Sequence, residues 1–143
     1  MECLVFKTVA RPGVTDSYIK DVVFFVLKKI KKEKGSLSVH LIGDTKMKSL
    51  NTTYRGKKST TDVLSFSSQE GDFFSSSPIE LGDIFISIPQ IYKQSREHII
   101  SSKEELTRML IHGVLHLDGY DHIKKRDADK MFSLQERLVK HFL

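Results

Sequence analysis

The sequence predicts an α+β fold: a small mixed sheet with about five helices packed on it. Three observations carry this. A strand-like run, an amphipathic helix and a second strand-like run follow one another within residues 3–42, the order of a right-handed βαβ unit with a parallel strand pair. Two more short extended runs lie near the middle, and helical periodicity takes over beyond residue 89. The 143 residues show no repeat, and 39% of them are apolar, enough for one core, so 1–143 reads as a single domain.

CLVFKTV, residues 3–9, is the first strand, and Arg11-Pro12-Gly13 turns the chain. Thr15 or Asp16 then caps a helix. Ile19, Val22, Val23, Val26 and Ile30 keep helical spacing, and Phe24, Phe25 and Leu27 widen the apolar face, so this helix is expected to be well buried. It runs into KKIKKEKG, with cations in its last turn and Gly35 expected just beyond its end. SLSVHLI, 36–42, alternates as a second strand, and Asp44 is expected to cap a short helix over 45–54. Asp62 to Phe66 is a third extended segment. SSQEGDFFSSSP, 67–78, has no apolar period and predicts a mobile loop.

LGDIFISI, 81–88, is the fourth strand, and Pro89 suits the first turn of a helix over 89–98. Ser101 and Ser102 each have a Glu three residues on, giving two overlapping capping boxes. They start a helix over 103–118 whose apolar side carries Leu106, Met109, Leu110, Val114 and Leu117, and Gly119 stops it. A last helix over 126–141 carries Met131, Leu134, Leu138 and Val139.

Composition narrows the classes. Cys3 is the only cysteine, so no internal disulfide forms, and it reads as an ordinary buried or half-buried residue. The N-terminal stretch has no signal-peptide pattern, and the longest apolar run, Val22 to Leu27, is too short to span a bilayer. A cytoplasmic protein without a membrane partner is expected. A net charge of +5 and a pI of about 9.3 permit a polyanionic partner.

The chemistry concentrates in HGVLHLDGYDH, residues 112–122. His112 and His116 are four residues apart on a predicted helix, about 400° of turn, so both rings leave one face. Gly119 turns the chain back, and His122 can close a third corner. Three imidazoles with an open fourth position make a catalytic type of zinc site, since structural zinc sites use four protein ligands. Nickel and copper fit the same ligands. Asp118 and Asp121 flank the three and are candidates to orient a ligand ring through its second nitrogen. Zinc peptidases with this spacing carry Glu after the first His as general base. Here that position is Gly113, which argues against amide hydrolysis. His40, His98 and His141 have no partner in the sequence and read as structural residues.

HGVLHLDGYDH, together with NTTYRGKKSTTDVLSF (51–66) and LGDIFIS (81–87), resembles the bacterial YbeY family of metal-dependent endoribonucleases. The resemblance runs from about residue 40 to the end. It implies a four-stranded, mostly parallel mixed sheet, one metal ion on His112, His116 and His122, and a functional arginine at Arg55. It also implies action on single-stranded ribosomal RNA at the small-subunit 3′ end and in ribosome quality control, with ribosomal proteins and translation GTPases as associates. Arg55 suits the chemistry, because a guanidinium binds two phosphate oxygens and stabilises the charge that grows on them. Lys57 and Lys58 follow it and are candidates for an RNA-backbone track. Two alternatives remain at this level: a metallopeptidase-like hydrolase, and a non-catalytic ribosome-associated factor with a structural metal.

Overall fold

Strand β1 (Glu2–Lys7) pairs parallel with β2 (Ser36–Ile42), and the helix between them, α1 (Asp16–Lys29), completes the expected βαβ unit. β2 pairs parallel with β4 (Glu80–Ser87), and β3 (Val63–Ser67) runs antiparallel along the far side of β4. The strand order is β1-β2-β4-β3, a mostly parallel mixed sheet. Four more helices follow the chain: α2 (Asp44–Arg55), α3 (Ile88–His98), α4 (Ser102–Leu117) and α5 (Lys125–Val139), the last closed by a 3-10 turn over Lys140–Phe142. The computed structural model describes residues 2–10, 12–68, 80–120 and 123–143. Apart from Ser67 and Ser68, the loop expected over 67–78 lies outside them. No helix among the described residues is long and apolar enough to cross a membrane.

One face of the sheet carries the core. Val39 and Leu41 of β2 and Ile84 and Ile86 of β4 meet Val23, Val26 and Leu27 of α1 and Leu110, Ile111, Val114 and Leu115 of α4. Met131, Leu138 and Val139 of α5 close the same cluster from outside. Cys3 is buried at the sheet, and burial pushes its thiol up to about 11. Phe24 and Phe25 only pack partly against the core, so the apolar face of α1 is narrower than its sequence suggests.

Three local expectations are corrected. First, α1 ends at Lys29, six residues before Gly35. Lys31 takes the left-handed conformation (φ 62°). Its amide donates to Lys28 O at 3.2 Å and that of Lys32 to Leu27 O at 2.8 Å, a Schellman end. Gly35 has another duty: a Cβ there would lie 2.9 Å from Lys32 O and 3.0 Å from Leu81 Cδ1. Second, Gly43 rather than Asp44 caps α2, and without a side-chain bond. Third, only Ser101 caps α4, accepting from Glu104 N at 3.0 Å. The Glu of the second capping box, Glu105, is buried and bonds His98 Nδ1 at 3.1 Å.

The carboxylate of Asp44 joins three segments instead. It accepts from Thr60 Oγ1 at 2.9 Å, Ser87 Oγ at 2.7 Å and Gln90 Nε2 at 3.1 Å. Burial opposes its ionisation, but these bonds and the Lys93 charge outweigh that and hold its carboxyl below the usual range. Asp44 therefore stabilises the fold fully above the ordinary aspartate pKa of about 3.9, and this is lost as pH falls through the lower folded value. Asp44→Asn is expected to cost about 1 kcal/mol at neutral pH. In urea titrations the gap to wild type should narrow below pH 4; a gap that persists there would assign the stability to shape rather than charge.

Ile99, 91% exposed, sits just past α3 at φ 56°, a left-handed position that a β-branched residue occupies under strain. Ile99→Gly is expected to raise stability by roughly 0.5–1 kcal/mol, read as a higher urea midpoint at unchanged slope.

Candidate metal centre

α4 brings the two histidines together as their spacing requires. His112 Nε2 and His116 Nε2 stand 3.1 Å apart, with ring planes at 76°. Two nitrogens bound at about 2.0–2.1 Å to one tetrahedral zinc lie about 3.3 Å apart, so this pair fits a shared cation. Both rings are part-exposed, while Leu110, Val114 and Leu117 of the same helix are buried. Gly119 (φ 94°) ends the helix as expected: its amide donates to His116 O at 3.0 Å and that of Tyr120 to Leu115 O at 3.0 Å. His122 and Asp121 lie outside the described residues, and among the described residues no cluster of three or more metal-binding side chains occurs.

The partner of the His112 ring is a residue that the sequence did not point to. His112 Nδ1 lies 2.7 Å from Oε1 of Gln135, a buried residue of α5. The candidate for such a role, Asp118, instead sits at the C-cap of α4 with Oδ1 3.8 Å from Lys32 Nζ. Burial pushes its carboxyl above the usual range, and the Lys32 charge offsets part of that. One signal for Gln135 was present: it is a polar residue inside the apolar stripe of Met131, Leu134 and Leu138. Buried polar groups are bonded, so such a residue implies a partner on the facing element.

Gly113 faces the sheet. A Cβ at this position would fall 2.8 Å from Ile84 Cγ2 and 3.3 Å from Ser65 Oγ. The glycine therefore answers to helix-on-sheet packing, and a glutamate there would collide with β4. Ser65 Oγ donates to Gly113 O at 3.2 Å, tying β3 to the helix turn that carries His112.

The same strand holds Arg55. Its Nη2 donates to Ser65 O at 3.0 Å, and its guanidinium lies 4.7 Å over the Phe66 ring. Arg55 is the last residue of α2 and is exposed, and Gly56 (φ 69°) ends the helix behind it. Ser65 thus joins the arginine and the histidine helix through two hydrogen bonds. Lys57 and Lys58 are exposed just beyond. The Lys57 backbone is fixed by bonds from its amide to Asn51 O at 3.2 Å and from Thr52 Oγ1 to its carbonyl at 3.2 Å. The other histidines have structural partners: His40 is stacked between Phe6 and Phe85 and bonds Asp83 at 3.0 Å, and His141 stacks on Phe25.

A family model described as Endoribonuclease YbeY matches residues 9–143. The chain belongs to this family. The match takes in α1 and β2 as well as the part from residue 40 on, where the sequence resemblance lay. The chain is similar to the Endoribonuclease YbeY of Persephonella marina, 37% identical over 139 residues that cover 96% of this chain and 90% of the relative. It is also similar to that of Oceanobacillus iheyensis, 37% identical over 141 residues and 91% of each chain. A solution structure of a Thermotoga maritima protein superposes with a TM-score of 0.62 at 26% identity, covering 98% of this chain and 87% of that one.

Replacing Gly113 tests the packing account. Helix propensity favours alanine by about 1 kcal/mol, but overpacking against a branched side chain costs about 1–3 kcal/mol. Gly113→Ala is expected to lose up to about 2 kcal/mol in urea unfolding, and a stabilised variant would refute the close contact with Ile84.

Proposed function

We propose that the protein is a metal-dependent endoribonuclease that cuts single-stranded RNA, with the small-subunit ribosomal RNA 3′ end as its substrate. Family membership supports the nuclease class, and the relatives named above carry the name endoribonuclease. The observation that carries the metal is the His112–His116 pair, two Nε2 atoms 3.1 Å apart, with Gln135 holding the far nitrogen of His112. His112, His116 and His122 would hold one zinc ion. Bound there, zinc supplies Lewis acidity next to the scissile phosphate.

Arg55 has the complementary task. Its guanidinium is held at one edge by Ser65 O and from below by the Phe66 ring. An oriented guanidinium meets phosphate oxygens with less loss of rotamer freedom than a lysine would. It stabilises the added negative charge as the phosphorus becomes five-coordinate. Lys57 and Lys58 extend the positive surface along the RNA backbone.

The test uses labelled single-stranded RNA carrying the small-subunit 3′ end. His116→Ala and chelation are both expected to abolish cutting. Arg55→Lys should lower kcat by about 10²–10³-fold while retaining the charge. Cutting that survives both the histidine change and chelation refutes the metal reading. An Arg55→Lys variant at wild-type rate removes the arginine from the mechanism.

A further inference from the structure

We propose that Gln135 is a positioning residue for the metal centre: its amide, locked by Glu136 and Arg108, holds His112 as the Nδ1–H tautomer with Nε2 presented to the cation. This rests on the metal reading above and deepens it.

The orientation of the amide is determined by its neighbours. Gln135 Nε2 donates to Glu136 Oε2 at 3.2 Å. A carboxylate only accepts, so the NH₂ group must lie on that side and Oε1 on the other. Oε1 then faces His112 Nδ1 at 2.7 Å. A carbonyl oxygen also only accepts, so the proton sits on Nδ1. A neutral imidazole protonated there keeps its lone pair on Nε2, the atom that faces His116 Nε2.

Glu136 is held in turn. Arg108 Nε donates to Glu136 Oε2 at 2.9 Å and Arg108 Nη2 to Oε1 at 2.9 Å, a two-pronged pair. Arg108 Nη1 reaches Glu104 Oε2 at 3.1 Å. Bonding to Arg108 holds the Glu136 carboxyl below the usual range, so the anchor stays charged at neutral pH. Arg108 and His112 are one helical turn apart on α4. The relay therefore leaves α4 at Arg108, crosses to α5 at Glu136 and Gln135, and returns to α4 at His112. The ligand is oriented against its own helix.

Packing alone does not call for a glutamine here. Gln135 is 3% exposed, between buried Met131 and Leu138. A leucine would fill that stripe without polar groups to satisfy. The amide also differs from the carboxylate that commonly backs a metal-bound histidine. A carboxylate raises ligand basicity, whereas an amide orients the ring without adding charge.

The test titrates zinc alone into the metal-free full chain, in competition with a chromophoric chelator. Nitrogen-15 NMR of the histidine side chains then reads the tautomer in the same metal-free samples. Gln135→Leu is expected to weaken zinc binding by about 10–100-fold and to turn the single Nδ1–H form of His112 into a mixture. Glu136→Gln frees the amide to rotate and should weaken binding several-fold, which provides a second route should Gln135→Leu fail to fold. Unchanged zinc affinity and tautomer in Gln135→Leu or Glu136→Gln, with zinc binding still dependent on His116, overturns the positioning role alone. A wild type that binds zinc no better than His116→Ala overturns the metal reading and this inference with it.

Discussion

The contact between Gly113 and Ile84 sets how closely α4 lies on the sheet, and the candidate site depends on that distance. A glycine lets the helix backbone sit on a fully buried isoleucine of β4, where any Cβ would crowd it. At this separation the Gly113 carbonyl comes within reach of Ser65 on β3. Helical geometry does the rest. If Gly113, Val114 and Leu110 point inward, His112 and His116 must lie toward the rim, where a cation and a substrate can reach them. The missing glutamate of the peptidase pattern and the packing of the helix are therefore one fact. A base at that position would be aimed into the core.

β3 matters because it serves both sides of the site. Its Ser65 side chain bonds the histidine helix, its Ser65 carbonyl holds Arg55, and its Phe66 ring lies under the guanidinium. Being antiparallel and at the sheet edge, β3 has neighbours on one side only, so its outer carbonyls are open to side chains from α2. The short helix ends in a left-handed glycine directly behind Arg55. That turn directs the chain into Lys57 and Lys58 and gathers three cations at one end of α2.

Several polar groups are paired across elements. Asp44 ties the start of α2 to the segment before β3 and to the β4–α3 junction. Glu105 is nearly inaccessible and meets His98. Gln135 connects α5 to His112. Among the described residues no buried side-chain nitrogen or oxygen lacks a partner. Each of these bonds links segments that the hydrophobic core alone would hold only loosely in register.

The sequence by itself determined the order and type of the elements, because strand alternation and helical periodicity are local patterns. It determined the His112–His116 pair for the same reason: four residues on a helix place two rings on one face wherever that helix packs. The stop at Gly119 was local too. Only the tertiary structure decided the rest. Gln135 lies 23 residues from His112, and nothing within either helix indicates which turn of α5 faces which turn of α4. Lys31 rather than Gly35 ends α1, and Gly35 lies instead where the chain passes close to Leu81. Asp44 has the composition of a cap, yet long-range hydroxyl and amide donors claim its carboxylate. Local spacing encodes what a segment presents, and the partner across the interface is chosen only when the core brings distant segments to within a hydrogen bond of one another.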